Sequence, residues 1–363
     1  VVSAPAYRAT LERLEERALT LPRHSRARVA AYEEAIALAD REGDTRAGWW
    51  LRQGLTEAVY HTEQWDALLP AFDWLLARAD EDPARFKERN LLWKYKWVIR
   101  TVIDLPEVDV VTIERMLDDL EMRFRRSDAS LRAVHGQRAT VALELGDRDA
   151  LQHHAHAFWE APRDRYCDCG ACEHEQRADF LEALGDAEFA TRERQRLVEG
   201  RLRCAYVPDG TFSQMLPRLW RKGRVREAEV LDAEGRSRAR RRRRLVLAQA
   251  RHLAFAAARG ELDDARGLLE GSWTAGRGQS TAGERLRYDA MASFGLAALA
   301  RADKMVELPP TRPDVPAGRL HAEAVKVWLD TQGLDVARRF DARAPGAQAE
   351  RAYREYGQRV WGM

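Results

Sequence analysis

The hydrophobic positions of this chain run through long stretches rich in Ala, Leu, Arg and Glu, residues of high helix propensity. Runs in which Val, Ile or Thr alternate with polar residues at period two, the mark of a half-buried strand, are nearly absent. The pattern predicts an all-α chain. The 13 prolines and 23 glycines are not scattered evenly through it, so they read as punctuation between elements.

The punctuation repeats. Glu-Leu-Gly-Asp at Glu144 to Asp147 returns as Ala-Leu-Gly-Asp at Ala183 to Asp186, as Arg-Lys-Gly-Arg at Arg221 to Arg224, and as Ala-Arg-Gly-Glu at Ala258 to Glu261. Gly146, Gly185, Gly223 and Gly260 are therefore 39, 38 and 37 residues apart, and Ala190, Ala228 and Ala265 each follow the last three by five positions. A glycine at a helix C-terminus accepts the left-handed conformation that ends the helix. The small residue that follows lets two antiparallel backbones approach. Each hairpin keeps an apolar face that only its neighbour covers, so the units must stack. A variant unit fits Leu55, Ala58, Tyr60, Trp65 and Phe72, closed by Asp82-Pro83, and Gly333 precedes Ala337 in a last hairpin.

These residues resemble the tetratricopeptide repeat family, in a version whose pitch is nearer about 38 than about 34 residues. The resemblance covers most of 24–303 and a helical pair at 317–363. It implies an all-α, right-handed superhelix of antiparallel helix hairpins, used as a scaffold. The predicted organisation is a repeat array over 1–305, a stiff connector at 306–316 with four prolines in its last eight positions, and a helical hairpin at 317–363. Asp104 to Asp109, around Pro106, reads as a loop between the two helices of a repeat without the glycine turn.

Composition narrows the class. Among 363 residues, 45% are hydrophobic and 33% charged, an ordinary balance for a helical globular protein. The longest uninterrupted apolar stretch, Leu253 to Ala258, is far short of the ~20 residues a spanning helix needs, which argues against a membrane protein. Val1 to Leu21 alternates charges with apolar residues and has no signal-peptide core. Four cysteines, all between 167 and 204, are too few and too clustered for a disulfide framework. A cytoplasmic protein of bacterial type is the expectation.

Those cysteines are the sharpest chemical signal. Cys169 and Cys172 form a C-x-x-C pair around Gly170, a spacing that lets two thiolates grip one Zn²⁺ from a tight turn. If helices run from about 173 to 184 and from about 187 to 202, the chain rises roughly 18 Å and returns roughly 24 Å. Cys204 then falls beside the pair. Cys167 or His174 is available as a fourth ligand. Within tetratricopeptide-like proteins the block is similar to a bacterial group with a C-x-x-C before a repeat and a third cysteine after it. Here that third cysteine opens Cys204-Ala-Tyr-Val-Pro208, with Asp209 where the group's pattern leads one to expect a histidine. A structural zinc is the favoured reading, ahead of free thiols, a thiol-based sensor and a catalytic metal. His153 and His156 share a helical face and offer a conceivable accessory metal site, behind the reading that the cluster is solvated or satisfied at a helix interface.

Charge is the second signal. Net charge is only +2, yet Arg201 to Ala250 holds 14 basic against five acidic residues. Its densest part is Arg236, Arg238 and Arg240, Arg241, Arg242, Arg243 and Arg244, expected at the start of the helix ending near Arg259. The opposite pole, Thr101 to Glu121, has seven acids and one base. The run reads first as a solvated helix end partly paired with Asp232 and Glu234; the functional reading is a site for an acidic protein segment lying in the groove of a repeat array. Nucleic acid is the weaker alternative, because no aromatic-interleaved basic stripe or known reader motif accompanies them. Phosphate-loop, dinucleotide, zinc-protease and serine-hydrolase motifs are absent. Trp65, Trp74 and Trp97 sit at core spacings, whereas adjacent Trp49 and Trp50 cannot both be buried. The expected function is a non-catalytic adaptor with a structural zinc site; the alternatives are a metal- or thiol-dependent sensor or enzyme, and a nucleic-acid binder.

Overall fold

The computed structural model describes residues 4–23, 25–62, 65–204, 207–240, 245–278, 281–344, 346 and 348–363. Its helices are α1 (Ala4–Thr20), α2 (Arg26–Arg41), α3 (Thr45–Thr62), α4 (Leu68–Glu81), α5 (Leu92–Ile103), α6 (Val110–Arg126), α7 (Arg132–Leu145), α8 (Arg148–Glu160), α9 (Gly170–Ala183), α10 (Ala187–Val198), α11 (Thr211–Arg221), α12 (Val225–Ala239), α13 (Val246–Ala258), α14 (Leu262–Arg277), α15 (Ala282–Arg301), α16 (Ala322–Arg343) and α17 (Ala349–Arg354). The all-α expectation holds apart from one short strand pair.

The punctuation acts as its chemistry requires. Gly146, Gly185, Gly223 and Gly260 all have positive φ, from 68° to 93°, and each closes the first helix of a hairpin. Asp147 and Asp186 then cap the following helices by accepting from Ala150 N and Phe189 N. Ala190, Ala228 and Ala265 are buried to 1% exposure or less, so the paired helices do meet at small residues. A fifth turn of this kind, Gly43-Asp44 with φ 66° at the glycine, joins α2 to α3. Hairpins α5–α6, α7–α8, α9–α10, α11–α12 and α13–α14 follow one another, and their first helices pack in succession: α5 on α7, α7 on α9, α11 on α13, α13 on α15.

Residues 305–321 differ from the connector predicted there. Strand β1 (Met305–Leu308) pairs antiparallel with β2 (Gly318–His321), in the register Met305 to His321 and Leu308 to Gly318. Val306, Leu308 and Val315 are buried with Leu253, Leu296, Val325 and Trp361. One apolar core therefore runs through the proline-rich segment into α16. The alternation in β1 spans only four residues, too short to stand out in the sequence.

The apolar core is uneven. One large cluster joins α1 to α7, from Leu11 to Val141, and another joins α11 to α16 and Trp361. Between them the α9–α10 hairpin contributes a small cluster of Ala171, Leu197 and Val207, bordered by Cys172, Leu202 and Cys204, and adds Phe180 to a cluster with Ala139, Ala142, Leu151 and Phe158. Its buried positions include Glu173, Glu193 and Arg194. By elementary accounting this is the least hydrophobically secured hairpin.

The chain also closes on itself. The loop after α5 meets the start of α15, where Gly283 N donates to Asp104 O at 3.0 Å. Thr281 Oγ1 and Arg287 donate to the Asp104 carboxylate at 2.9–3.0 Å. Arg343 donates to the carbonyls of Ile103 and Leu105, both at 2.9 Å, and Arg339 pairs with Glu107. The acidic pole around Thr101 to Glu121 thus serves as an internal docking edge for the C-terminal helices.

Candidate metal centre and inner wall

Gly170 opens α9, which leaves Cys169 as its N-cap residue and puts Cys172 in the first turn. The helix starts three residues earlier than expected, inside the C-x-x-C. Helix α10 ends at Val198 and returns the chain to Cys204. The sulfurs of Cys169, Cys172 and Cys204 all lie within 4.8 Å of one another, and Cys172 Sγ is 3.5 Å from Cys204 Sγ. A tetrahedral ion with Zn–S bonds of about 2.3 Å separates its sulfurs by about 3.8 Å. All four cysteines of the chain are free thiols. Three close cysteines from the two ends of one hairpin can hold a metal ion.

The surrounding backbone fits that use. Cys204 N donates to Val207 O at 2.9 Å and Val207 N donates to Cys204 Sγ at 3.3 Å. That contact directs a backbone N–H at the sulfur. Burial and then the neighbouring thiols push the Cys172 thiol well above its ordinary range. That is the reverse of the low value a nucleophilic exchange cysteine needs. A divalent cation inverts the balance by binding the deprotonated form.

Neither expected fourth ligand joins the three. Cys167 Sγ instead accepts from Asp164 N at 3.3 Å, and burial raises its thiol. His174 lies two residues beyond Cys172, on the other side of α9, where its Nδ1 meets Glu193 at 2.6 Å and its ring meets Trp159 edge-on. Asp209 pairs with Arg238 at 3.3 Å. Among the described residues, the cluster consists of the three cysteines alone.

The loop that presents Cys169 is held by groups that no local pattern connects. Lys96, 1% exposed, donates to Tyr166 O at 2.6 Å and to Asp168 at 2.9 Å, while Arg100 reaches the other Asp168 oxygen at 3.0 Å. Burial opposes ionisation of Asp168, yet Arg100 and Lys96 hold its carboxyl below the usual range. Arg132 and Arg163 clasp the buried Glu173. Residues 70 apart in sequence thereby fix the position of a metal-ligand loop.

The arginine run is placed differently from expectation. Helix α12 continues to Ala239, because Ala228, Asp232, Gly235 and Ala239 form one buried stripe. Arg236 and Arg238 therefore sit in the last turn of a helix, and Arg240 is its C-cap. At that end cations complement the macrodipole, whereas an N-terminal placement would oppose it. Arg236 is held by Asp232 and Asp264, both at 2.6 Å, and Arg238 by Glu234 at 2.6 Å and Asp209. Asp232 also meets buried His252 at 2.6 Å. Arg240 is exposed, and Arg241, Arg242, Arg243 and Arg244 lie outside the described residues.

A second charged region lies on the first helices of successive hairpins. Glu144 on α7, Glu175, Asp179 and Glu182 on α9, Arg251 on α13 and Arg287 on α15 face one another, with Arg194 of α10 and Tyr356. Burial raises the carboxyls of Glu144, Glu175 and Asp179. Asp179 nonetheless keeps 41% of its side-chain surface open. Of the histidines on α8, His154 meets α7, its Nδ1 lying 3.2 Å from His135 Nδ1, as the interface reading of this cluster expects.

The chain matches no protein-family model. It matches none of the curated proteins with which it was compared. No helix among the described residues is long and apolar enough to cross a membrane.

Proposed function

We propose that the chain is a non-catalytic binding scaffold of the tetratricopeptide-like kind, a right-handed superhelix whose α9–α10 hairpin is stapled by one structural Zn²⁺. Cys169, Cys172 and Cys204 hold the ion. The observation that carries the zinc is the convergence of three thiols from both ends of the hairpin with the smallest apolar core. When bound, the metal cross-links those ends and supplies folding free energy locally. Cys169 and Cys172 grip from the helix start, Cys204 from the returning turn, and Lys96 with Asp168 keeps the first pair in place. A reducing, cytoplasmic setting belongs to this reading, since the thiols must stay reduced.

The scaffold reading is supported by repeated glycine turns and by first helices that pack on one another, α5 on α7 on α9 and α11 on α13 on α15. Its partner is an acidic protein segment, drawn by the excess of arginine in the C-terminal half. The test is a titration of an acidic peptide at two salt concentrations, against the wild type and the Arg240→Ala, Arg242→Ala, Arg244→Ala triple variant. Salt-weakened binding supports the reading, because exposed charges are screened beyond about 8 Å at physiological ionic strength. Tight oligonucleotide binding with a steep salt slope, lost in the triple variant, would replace it with a nucleic-acid binder.

A further inference from the structure

The seam between two hairpins holds a recess of about 200 Å³, walled by α10 on one side and by α11 and the turn after it on the other. Its floor is apolar, since Met215 and Leu219 are buried there at 4% and 3% exposure. Around that floor the charge is one-sided: five cations and a single acid, Glu188, line the recess. Three of the five are already committed. Arg194 pairs with Asp179 and Glu182 of α9, Arg224 with Glu227, and Lys222 with Glu188 at 3.5 Å. The other two are not. Among the described residues, Arg192 makes no ion pair and lies over the Phe189 ring, 4.1 Å from its centre. The Arg218 side chain has neither a hydrogen bond nor an ion pair, and its Nε is buried without an acceptor. One turn before it, Gln214 Oε1 is buried without a donor. Withdrawing such groups from water without a partner is costly.

These groups define what completes the recess. Two cations without a counter-charge match a phosphate monoester, which carries about −1.5 to −2 near pH 7. The planar fork of each guanidinium suits its oxygens, whereas a carboxylate would leave one of the two arginines unanswered. The acceptor on Gln214 calls for a ligand that also brings a donor, such as a hydroxyl. The terminal torsion of a glutamine is soft, so its carboxamide can turn to meet that donor. Met215 and Leu219 offer a surface to the C–H face of a ring. Size narrows the class further. One water takes about 30 Å³ of the liquid and drug-sized sites span about 300–1,000 Å³, so the recess suits a compound of sugar size. The bridge between Glu188 and Lys222 joins side chains 72% and 45% exposed. Such a bridge contributes little and yields readily to an incoming anion.

We propose that the recess between α10 and α11 binds a phosphate monoester of a small hydroxylated compound, of the sugar phosphate class. Arg192 and Arg218 hold the phosphate and Gln214 a hydroxyl. This goes beyond the scaffold reading and does not depend on it, since the site needs no acidic protein segment. It does draw one wall from the hairpin that carries the three clustered cysteines, so the chain is tested loaded with zinc.

The test is isothermal titration calorimetry on the full chain with four probes: glucose phosphorylated at its primary hydroxyl, inorganic phosphate, glucose, and a phosphoserine peptide amide. The sugar phosphate should bind more tightly than inorganic phosphate, and glucose should not bind. Arg218→Gln should weaken the sugar phosphate at least tenfold and Arg192→Gln at least threefold. Arg226→Gln, at an exposed position of α12 outside the lining, should leave it unchanged. Gln214→Leu should bring the sugar phosphate towards the affinity of inorganic phosphate while leaving inorganic phosphate as it was. Without ligand, the melting temperature of Arg218→Gln should be unchanged or raised, because an uncompensated cation has been removed; a clear loss would mark a structural arginine and overturn the site. Inorganic phosphate binding as tightly as the sugar phosphate overturns the hydroxylated ester. A phosphopeptide that binds more tightly, with the same dependence on Arg218, replaces the small compound with a protein partner. If none of the phosphates binds the wild type at millimolar concentration, the site is refuted and the zinc and scaffold readings stand.

Discussion

Asp104 is the point at which the two halves of the molecule meet, and removing its carboxylate tests that closure. In Asp104→Ala, Arg287 loses two charge-assisted hydrogen bonds of 2.9 and 3.0 Å, and Thr281 Oγ1 loses its 3.0 Å acceptor. Breaking a fully buried ion pair costs about 3–5 kcal/mol. Arg287 keeps 36% of its side chain exposed and retains Glu144 at 3.4 Å, so the expected loss is smaller, about 1.5–3 kcal/mol. Gly283→Ala disturbs the same interface while removing no charge, because a Cβ there would overlap the Asp104 carboxylate and stand 3.2 Å from its Cα. Urea unfolding followed by circular dichroism gives the magnitude, and amide exchange over 281–287 gives the location. Both variants should lower stability and speed exchange at the start of α15. Asp104→Ala with Arg287→Ala should cost less than the sum of the single changes. A loss below about 0.5 kcal/mol with unchanged exchange would show that the closure contributes nothing, since that lies within the spread of ordinary surface substitutions.

Two glycines should respond in opposite directions. Gly223→Ala forces a side chain into φ 68° with no clash to blame, and should cost about 1 kcal/mol by denaturant titration, whereas Gly267→Ala, inside α14 with open space around it, should stabilise by about 0.5–1 kcal/mol. The His135–His154 contact should make stability pH-dependent: burial, then His135 and His153, push His154 down to about 4, so the folded form favours the neutral ring. Stability present above about pH 6.5 should therefore be lost as pH falls towards 4, by about 1 kcal/mol after solvent screening. His154→Gln should flatten that slope; an unchanged profile would contradict the assignment. Glu121, Arg125 and Arg138 face the pair and must be kept intact in the comparison.

What was legible in the sequence depended on how local the physics was. The glycine turns were readable because a helix ending on Gly is a matter between neighbours in the chain, and Gly146, Gly185, Gly223 and Gly260 all adopt the expected backbone. The meeting of Cys204 with Cys169 and Cys172 followed from helix lengths alone. The end of α12 was misplaced because the polar run Arg236 to Arg240 masked a buried stripe ending at Ala239. Asp104 with Arg287 and Lys96 with Asp168 depend on separations of about 70 residues or more. No periodicity records either. The four-residue strands at 305–308 and 318–321 escaped because two alternations are indistinguishable from chance.

The central claim is that three thiols of one hairpin share a metal, and native mass spectrometry of the intact chain tests it most directly. The expected result is a folded species heavier by one zinc ion, with Cys169, Cys172 and Cys204 protected from alkylation while Cys167 reacts independently of the metal. Cys204→Ser should lose the ion and loosen 161–207 before the distant hairpins, which contact chiefly their own neighbours. A folded, metal-free chain with all four thiols open to alkylation, and no change in stability on adding Zn²⁺, would contradict it.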